Sequence, residues 1–176
     1  MAGIDQLRAG LVYEYPVDAL VIVAKFQARR EVARALGELL VAALARQSPC
    51  ALSADIVVPV PLHPARLGSR GYNQALEIAR PVAAALNLPL LKRLCRRSRN
   101  TAAQSALPGC DRRKNLAAAF RVRGSAAGTR VLIVDDVVTT GHTLSSLALS
   151  LRCAGAAQVT ACCAARVVPD QARLKM

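Results

Sequence analysis

Val131 to Thr143, VLIVDDVVTTGHT, is the stretch on which the reading of this chain turns. Val131 to Val134 form a continuous apolar run rather than an alternating one, the pattern of a parallel strand covered by helices on both faces. Asp135 and Asp136 therefore fall at the carboxyl end of that strand, where ligands bind in open α/β sheets. Val137 and Val138 lead into Thr139, Thr140, Gly141, His142 and Thr143, which offer hydroxyls and closely spaced backbone N–H groups. A helical pattern, Leu144 to Leu151, follows at once, and its N-terminal dipole favours an anion. Paired acids beside an anion-binding loop suit a phosphorylated sugar. The carboxylates accept hydrogen bonds from ring hydroxyls while the loop holds a phosphate on the adjoining carbon.

Working outward, 176 residues that are 53% hydrophobic and lack tryptophan are most simply one globular domain, 1–176, large enough to bury about 70% of its extended-chain surface. No apolar run reaches the roughly 18 residues of a membrane span, and Asp5, Glu14 and Asp18 interrupt the start where a signal peptide is basic and then apolar. A cytoplasmic protein with no membrane partner is expected. The six cysteines contain no CxxC pair, and adjacent Cys162 and Cys163 would face opposite sides of a strand, so reduced, unmetallated thiols are expected. A formal charge of +13 calls for an anionic partner without separating a pyrophosphate ester from nucleic acid.

Pro16 to Phe26 and Glu31 to Leu44 read as two helices covering the sheet. Lys25, after an apolar stretch, is positioned either to reach the ligand end of the sheet or to snorkel. Asp55 to Val60, DIVVPV, is a second buried-strand candidate, stopped by Pro59, Pro61 and Pro64 in a rigid turn. That turn carries Leu62, His63, Arg66 and Arg70 before Gly71, Tyr72, Asn73 and Gln74 open another helix. Two guanidinium groups near a strand end can bind a pyrophosphate bidentately; a basic surface loop is the plain alternative. Pro81 should kink or end its helix. Between Lys92 and Arg130 lie eleven basic side chains against one acid, Asp111. Leu90 to Leu94 and Ala118 to Val122 read as strands flanking a long polar loop, and loops of that length usually carry function or are disordered. Gln158 to Arg166 is the last strand, completing an α/β alternation with a parallel sheet.

The thirteen-residue string resembles the phosphoribosyl pyrophosphate (PRPP) signature of type I phosphoribosyltransferases. More narrowly, VPVPLHPARLGSRGYNQA from Val58, TAAQSAL from Thr101, RRKNLAAAF from Arg112 and VLIVDDVVTTGHTL from Val131 resemble, in order and spacing, the ComF family of phosphoribosyltransferase-like proteins, from about Tyr13 to Arg166. Many members of that family begin with a cysteine-rich zinc module; nothing before Tyr13 is a cysteine, so no zinc is carried over. The resemblance implies the type I fold, a central, mainly parallel sheet flanked by helices with a flexible basic loop. It implies that residues 135–143, with Leu62, His63, Arg66 and Arg70, bind PRPP. Asp135, Asp136, Arg97 and Arg99 are then the catalytic candidates, and Thr101, Gln104, Arg112, Arg113 and Asn115 belong to a loop that closes over the substrate. The chemistry implied is magnesium-assisted displacement of pyrophosphate by a nitrogen nucleophile, as in nucleoside metabolism. The acceptor is not legible, and a homodimer is possible within the family pattern. A second class of function stands beside it: a non-catalytic accessory of DNA uptake and natural competence whose basic face binds single-stranded DNA.

Overall fold

The computed structural model describes residues 1–47, 52–98 and 119–168. In chain order the elements are β1 (Gln6–Val12), α1 (Val17–Phe26), α2 (Arg30–Gln47), β2 (Ile56–Pro59), α3 (Pro64–Arg70), α4 (Gln74–Ala85), β3 (Cys95–Arg97), β4 (Phe120–Val122), β5 (Arg130–Val138), α5 (His142–Cys153) and β6 (Gln158–Arg166). Four strands form a parallel sheet in the order β1-β6-β5-β2, and β3 and β4 pair as a separate antiparallel ribbon.

Strand alternation sorts the core into two layers. Val131 and Ile133 of β5 pack with Leu144, Leu147 and Leu151 of α5 and with Phe120 of the ribbon. Leu132 and Val134 pack on the other face with Val21 of α1, Leu36 and Leu40 of α2 and Ile78 and Val82 of α4. Cys162 and Cys163 divide between these layers as expected of adjacent strand residues, both fully buried. The continuous apolar run of β5 follows directly, because a strand covered on both sides has no polar face.

The topology makes one crevice. From β2 the chain passes through α3 and α4 to Leu90, which bridges Val57 in parallel on the edge of β2 away from β5. From β5 it passes through α5 to β6 on the opposite side. Connections that diverge from neighbouring strands leave a gap beyond their carboxyl ends, between β2 and β5 here.

Several sequence expectations change. The strand predicted to end at Val134 runs on to Val138, with Asp135 opposite Cys163 and Val138 opposite Arg166 of β6. The acids still face an opening, because β2 stops at Pro59, level with Val134. The supposed rigid turn after β2 is a short helix, capped by His63, whose Nδ1 accepts the Ala65 N–H at 3.3 Å, and ended by Gly71 at φ 72°. Helix α4 continues through Pro81. Gly37 of α2 permits this packing: a Cβ there would stand 2.5 Å from Pro81 Cγ and 2.6 Å from the Ile78 carbonyl oxygen. The strand predicted over Leu90 to Leu94 reduces to the Leu90 bridge, with β3 beginning at Cys95, so Arg97 belongs to a strand rather than a loop. Strand β1 was missed altogether. Its QLRAGLV has only a short apolar stretch, Ala9 to Val12, interrupted by a glycine, and is ordered by pairing with β6, with Gly10 allowing Leu40 of α2 to lie against it.

Candidate functional site

The two acids leave β5 on opposite faces of the sheet, as the period of two demands. Asp136 goes toward the layer of α1, where its Oδ2 meets Lys25 Nζ at 3.1 Å, both side chains largely buried. Its Oδ1 accepts the Val137 N–H at 2.6 Å. Asp135 lies toward the layer of α5 and the ribbon, its Oδ1 accepting the Asp136 N–H at 2.9 Å. Burial, and next the charge of Asp136, push the Asp135 carboxyl well above the ordinary carboxylate range, against the opposing pull of Lys25 and Arg97.

Arg97 completes this side. Its guanidinium lies 5.5 Å from the centroid of the Phe120 ring and is buried, and burial lowers its pKa, with Arg66 adding to the effect and Asp135 opposing it. Asp135, Arg97 and Arg66 are therefore electrically coupled across the crevice between β5, the ribbon and α3. Cys163, behind Asp135 on β6, is pushed up to about 12 by burial and then by that carboxyl, so it is an inert thiol.

Beyond β5 the chain turns through Thr139 and Thr140, both exposed, into Gly141 at φ 75°, which is the N-cap of α5. Asp135 and residues 137–144 line a small pocket of about 40 Å³. The end of the Met1 side chain lies where a Cβ on Gly141 would stand, and although that flexible end could move aside, the left-handed backbone still disfavours larger residues at this position. His142 is the exposed first residue of the helix. Hydroxyls, a left-handed glycine and a twelve-residue helix start thus converge beside Asp135.

The structure gathers the sequence-predicted residues unequally. Asp135 and Val137 to Thr143 share the pocket; Asp136 lies on the other face, in its ion pair with Lys25. Arg66 is tied to this side only by its charge, which lowers the pKa of Arg97. Arg70 instead lies over Phe26, 5.6 Å from its ring centroid, and donates to Gln74 Oε1 at 3.3 Å. His63 is occupied as a cap, and Leu62 lines a different, larger pocket. Arg99, Thr101, Gln104, Arg112, Arg113 and Asn115 lie outside the described residues.

Sequence reading placed Tyr72 and Asn73 at the opening of a helix without giving them the bracing of the crevice. Asn73 caps α4 by accepting the Ala75 N–H at 3.1 Å, and its Nδ2 donates to the Val60 carbonyl at 3.0 Å, tying α4 to the end of β2. Tyr72 donates its hydroxyl to the Ala24 carbonyl at 2.5 Å, fixing the end of α1 one residue before Lys25. An asparagine directly ahead of an apolar helical pattern was the available signal for the first. Nothing local announced the second, since its partner is 48 residues away.

A parallel sheet with its crevice at the switch point, an acid at the strand end and a hydroxyl-rich loop feeding a helix are features of the phosphoribosyltransferase-like class of proteins. Residues 73–174 match the family described as phosphoribosyl transferase domain, and the chain belongs to that family. It is 38% identical over 158 residues to the DNA utilization protein YhgH of Salmonella typhimurium, covering 89% of this chain and 70% of that protein. It is also 34% identical over 152 residues to competence protein F of Haemophilus influenzae, covering 84% of this chain and 66% of that one. The ComF resemblance thus holds across most of the sequence. Among solved structures, an allosteric regulatory enzyme of purine biosynthesis superposes with a TM-score of 0.51 at 25% identity. That match covers 75% of this chain and only 25% of the enzyme, so the shared part is the phosphoribosyltransferase fold. No helix among the described residues is long and apolar enough to cross a membrane.

Proposed function

We propose that this protein binds PRPP at the crevice between β2 and β5 and transfers its phosphoribosyl group to a nitrogenous acceptor with release of pyrophosphate. The observation that carries this is the pocket joining Asp135 to the Thr139–Thr143 loop, which pairs a hydroxyl acceptor with an anion cradle. In this reading the loop N–H groups and threonine hydroxyls hold the 5-phosphate, and Asp135 accepts from a ribose hydroxyl. Arg66 and Arg97 face the departing pyrophosphate. As the bond from C1 to the pyrophosphate oxygen breaks, positive charge grows on the ribose ring and negative charge on the leaving group. Fixed guanidinium groups stabilise the latter without reorganising, and no covalent protein nucleophile is needed.

The donor set suits magnesium carried by the substrate. The described residues hold no group of three His, Cys, Asp or Glu side chains, whereas Asp135 is an oxygen donor at the site, and magnesium commonly takes one or two carboxylates plus phosphate oxygens and water. When bound it would neutralise pyrophosphate charge. A cation beside Asp135 would also favour the ionised carboxylate that burial disfavours.

The test is titration calorimetry with PRPP and Mg²⁺, followed by a screen of bases and amines for pyrophosphate release. Absence of PRPP binding at millimolar concentration sinks the proposal; binding without release against every acceptor leaves an accessory PRPP-binding protein.

A second reading, an accessory of DNA uptake that binds single strands, is supported by the names of the relatives and by one feature of the ribbon. Arg96 and Arg121 are directly paired across β3 and β4, both exposed. Like charges placed opposite each other are destabilising, and a bound phosphate backbone relieves that repulsion.

A further inference from the structure

A second pocket belongs to neither reading. It occupies about 410 Å³ beside the start of α4 and shares no lining residue with the pocket at Asp135. Its volume falls in the range of roughly 300–1,000 Å³ typical of small-molecule sites.

Three kinds of group meet there. Leu62, Leu67 and Leu76 supply an apolar wall. Lys92 and Arg93, both exposed, form no ion pair among the described residues and stand at the pocket with Arg30 and Arg80. Against these cations the pocket has a single carboxylate, Glu77, whose side chain is only 8% exposed. Arg34 and Arg80 both contact its Oε2, each at 3.3 Å. Its Oε1 carries no hydrogen bond among the described residues, so a more than nine-tenths buried carboxylate presents a fixed acceptor to the cavity.

Each group limits the ligand. Unneutralised cations require an anion; an apolar wall requires a flat or apolar body on it; a fixed carboxylate oxygen requires an N–H donor and repels a carbonyl. Among the bases, cytosine offers its exocyclic amine to a carboxylate, whereas thymine has a carbonyl at the same ring position. We propose that this pocket is a second site, binding a nucleoside 5′-phosphate whose base carries an exocyclic amine, with the phosphate on Lys92 and Arg93 and the amine on Glu77. The phosphate comes either from a free nucleotide or from the 5′ end of a single strand, which present the same chemistry. The site stands independently of PRPP binding.

Calorimetry on the full chain tests it with deoxycytidine 5′-monophosphate (dCMP). Thymidine 5′-monophosphate should bind about tenfold more weakly, the size of one lost base-edge hydrogen-bond pair. Deoxycytidine without phosphate should bind more weakly still. Lys92→Ala with Arg93→Ala removes two exposed side chains, should leave the melting temperature unchanged, and should weaken dCMP about tenfold or more. Asp135→Asn should leave dCMP affinity untouched. Competition from a 5′-phosphorylated oligo(dC) assigns a strand end as the source; no competition assigns the free nucleotide. No measurable dCMP binding, equal affinity for the thymidine nucleotide, or loss in Asp135→Asn with retention in the double variant overturns the proposal.

Discussion

Asp135→Asn should make the free protein more stable at alkaline pH while destroying the PRPP site. Burial and the charge of Asp136 raise the Asp135 carboxyl to about 8 from an ordinary value of 3.8. An acid whose folded pKa is raised favours the fold while protonated. That stability is full below the unfolded value and is lost as pH rises through the folded one, because the unfolded chain gives up its proton first. Tenfold in an ionisation constant is worth about 1.4 kcal/mol, so the full displacement sets a ceiling of about 6 kcal/mol. Water reaching a partly exposed carboxyl, and relaxation around it, reduce this to about 2 to 3 kcal/mol. For a chain of this size each 1 kcal/mol moves the melting temperature by roughly 2–4 °C. Thermal melts of the variant and the parent should therefore converge near pH 4 to 5 and separate by about 4–12 °C, the variant higher, by pH 8 to 9. An amide is isosteric and cannot ionise, so the separation isolates this one carboxyl from the cysteines and other groups that also titrate. Parallel melting curves across that range would refute the argument that Asp135 is held against its charge. Raised stability together with lost PRPP affinity is the signature of a functional group kept at a cost to the fold.

Three further outcomes are expected. Lys25→Met leaves Asp136 largely buried without its ion partner and should cost about 1–3 kcal/mol in urea melts, with weaker PRPP binding; an unchanged midpoint contradicts the pair. Gly37→Ala drives a methyl against Pro81 and the Ile78 carbonyl and should destabilise by about 1–3 kcal/mol, the reverse of the usual helical preference for alanine. If the ribbon binds single-stranded DNA, Arg96→Ala with Arg121→Ala should flatten the slope of log affinity against log salt by about 1.4, two phosphates at about 0.7 each, and a slope equal to that of the parent removes the ribbon from the interface.

The parts of the fold legible beforehand were those whose cause is local. A short apolar run bounded by turn residues reads as a strand hidden on both faces, so β5 and β2 were evident, and so was the helix of α2, which buries Leu36 and Leu40 one turn apart. Strand β1 was invisible because its order comes from β6, more than 140 residues away in sequence. Helix α4 survives Pro81 because of Gly37 on a different helix, a compensation no single window contains. The turn after β2 was misread for a subtler reason: His63 and Gly71 are proper cap and terminator of a short helix, yet three prolines in six residues, Pro59 to Pro64, outweighed them.

At the site, sequence named the acids and the loop but treated Asp135 and Asp136 as one paired unit. Strand geometry separates them, and the separation changes what each can do. Asp136 is spent on Lys25, which Tyr72 steadies through the Ala24 carbonyl, so the α1 face of the crevice is a charge-neutral brace. Asp135 forms no ion pair among the described residues; the charges acting on it are those of Asp136, Lys25 and Arg97. That side carries a carboxyl held above its ordinary range by burial and the charge of Asp136, beside Arg97, whose pKa burial lowers and Arg66 lowers further. Each strain is relieved by the same event, arrival of an anion accompanied by a cation, because the anion compensates the arginines and the cation compensates Asp135. A ligand carrying only one sign of charge would relieve one strain and leave the other, so under the proposed function a magnesium-bearing pyrophosphate is expected to bind in preference to a bare anion.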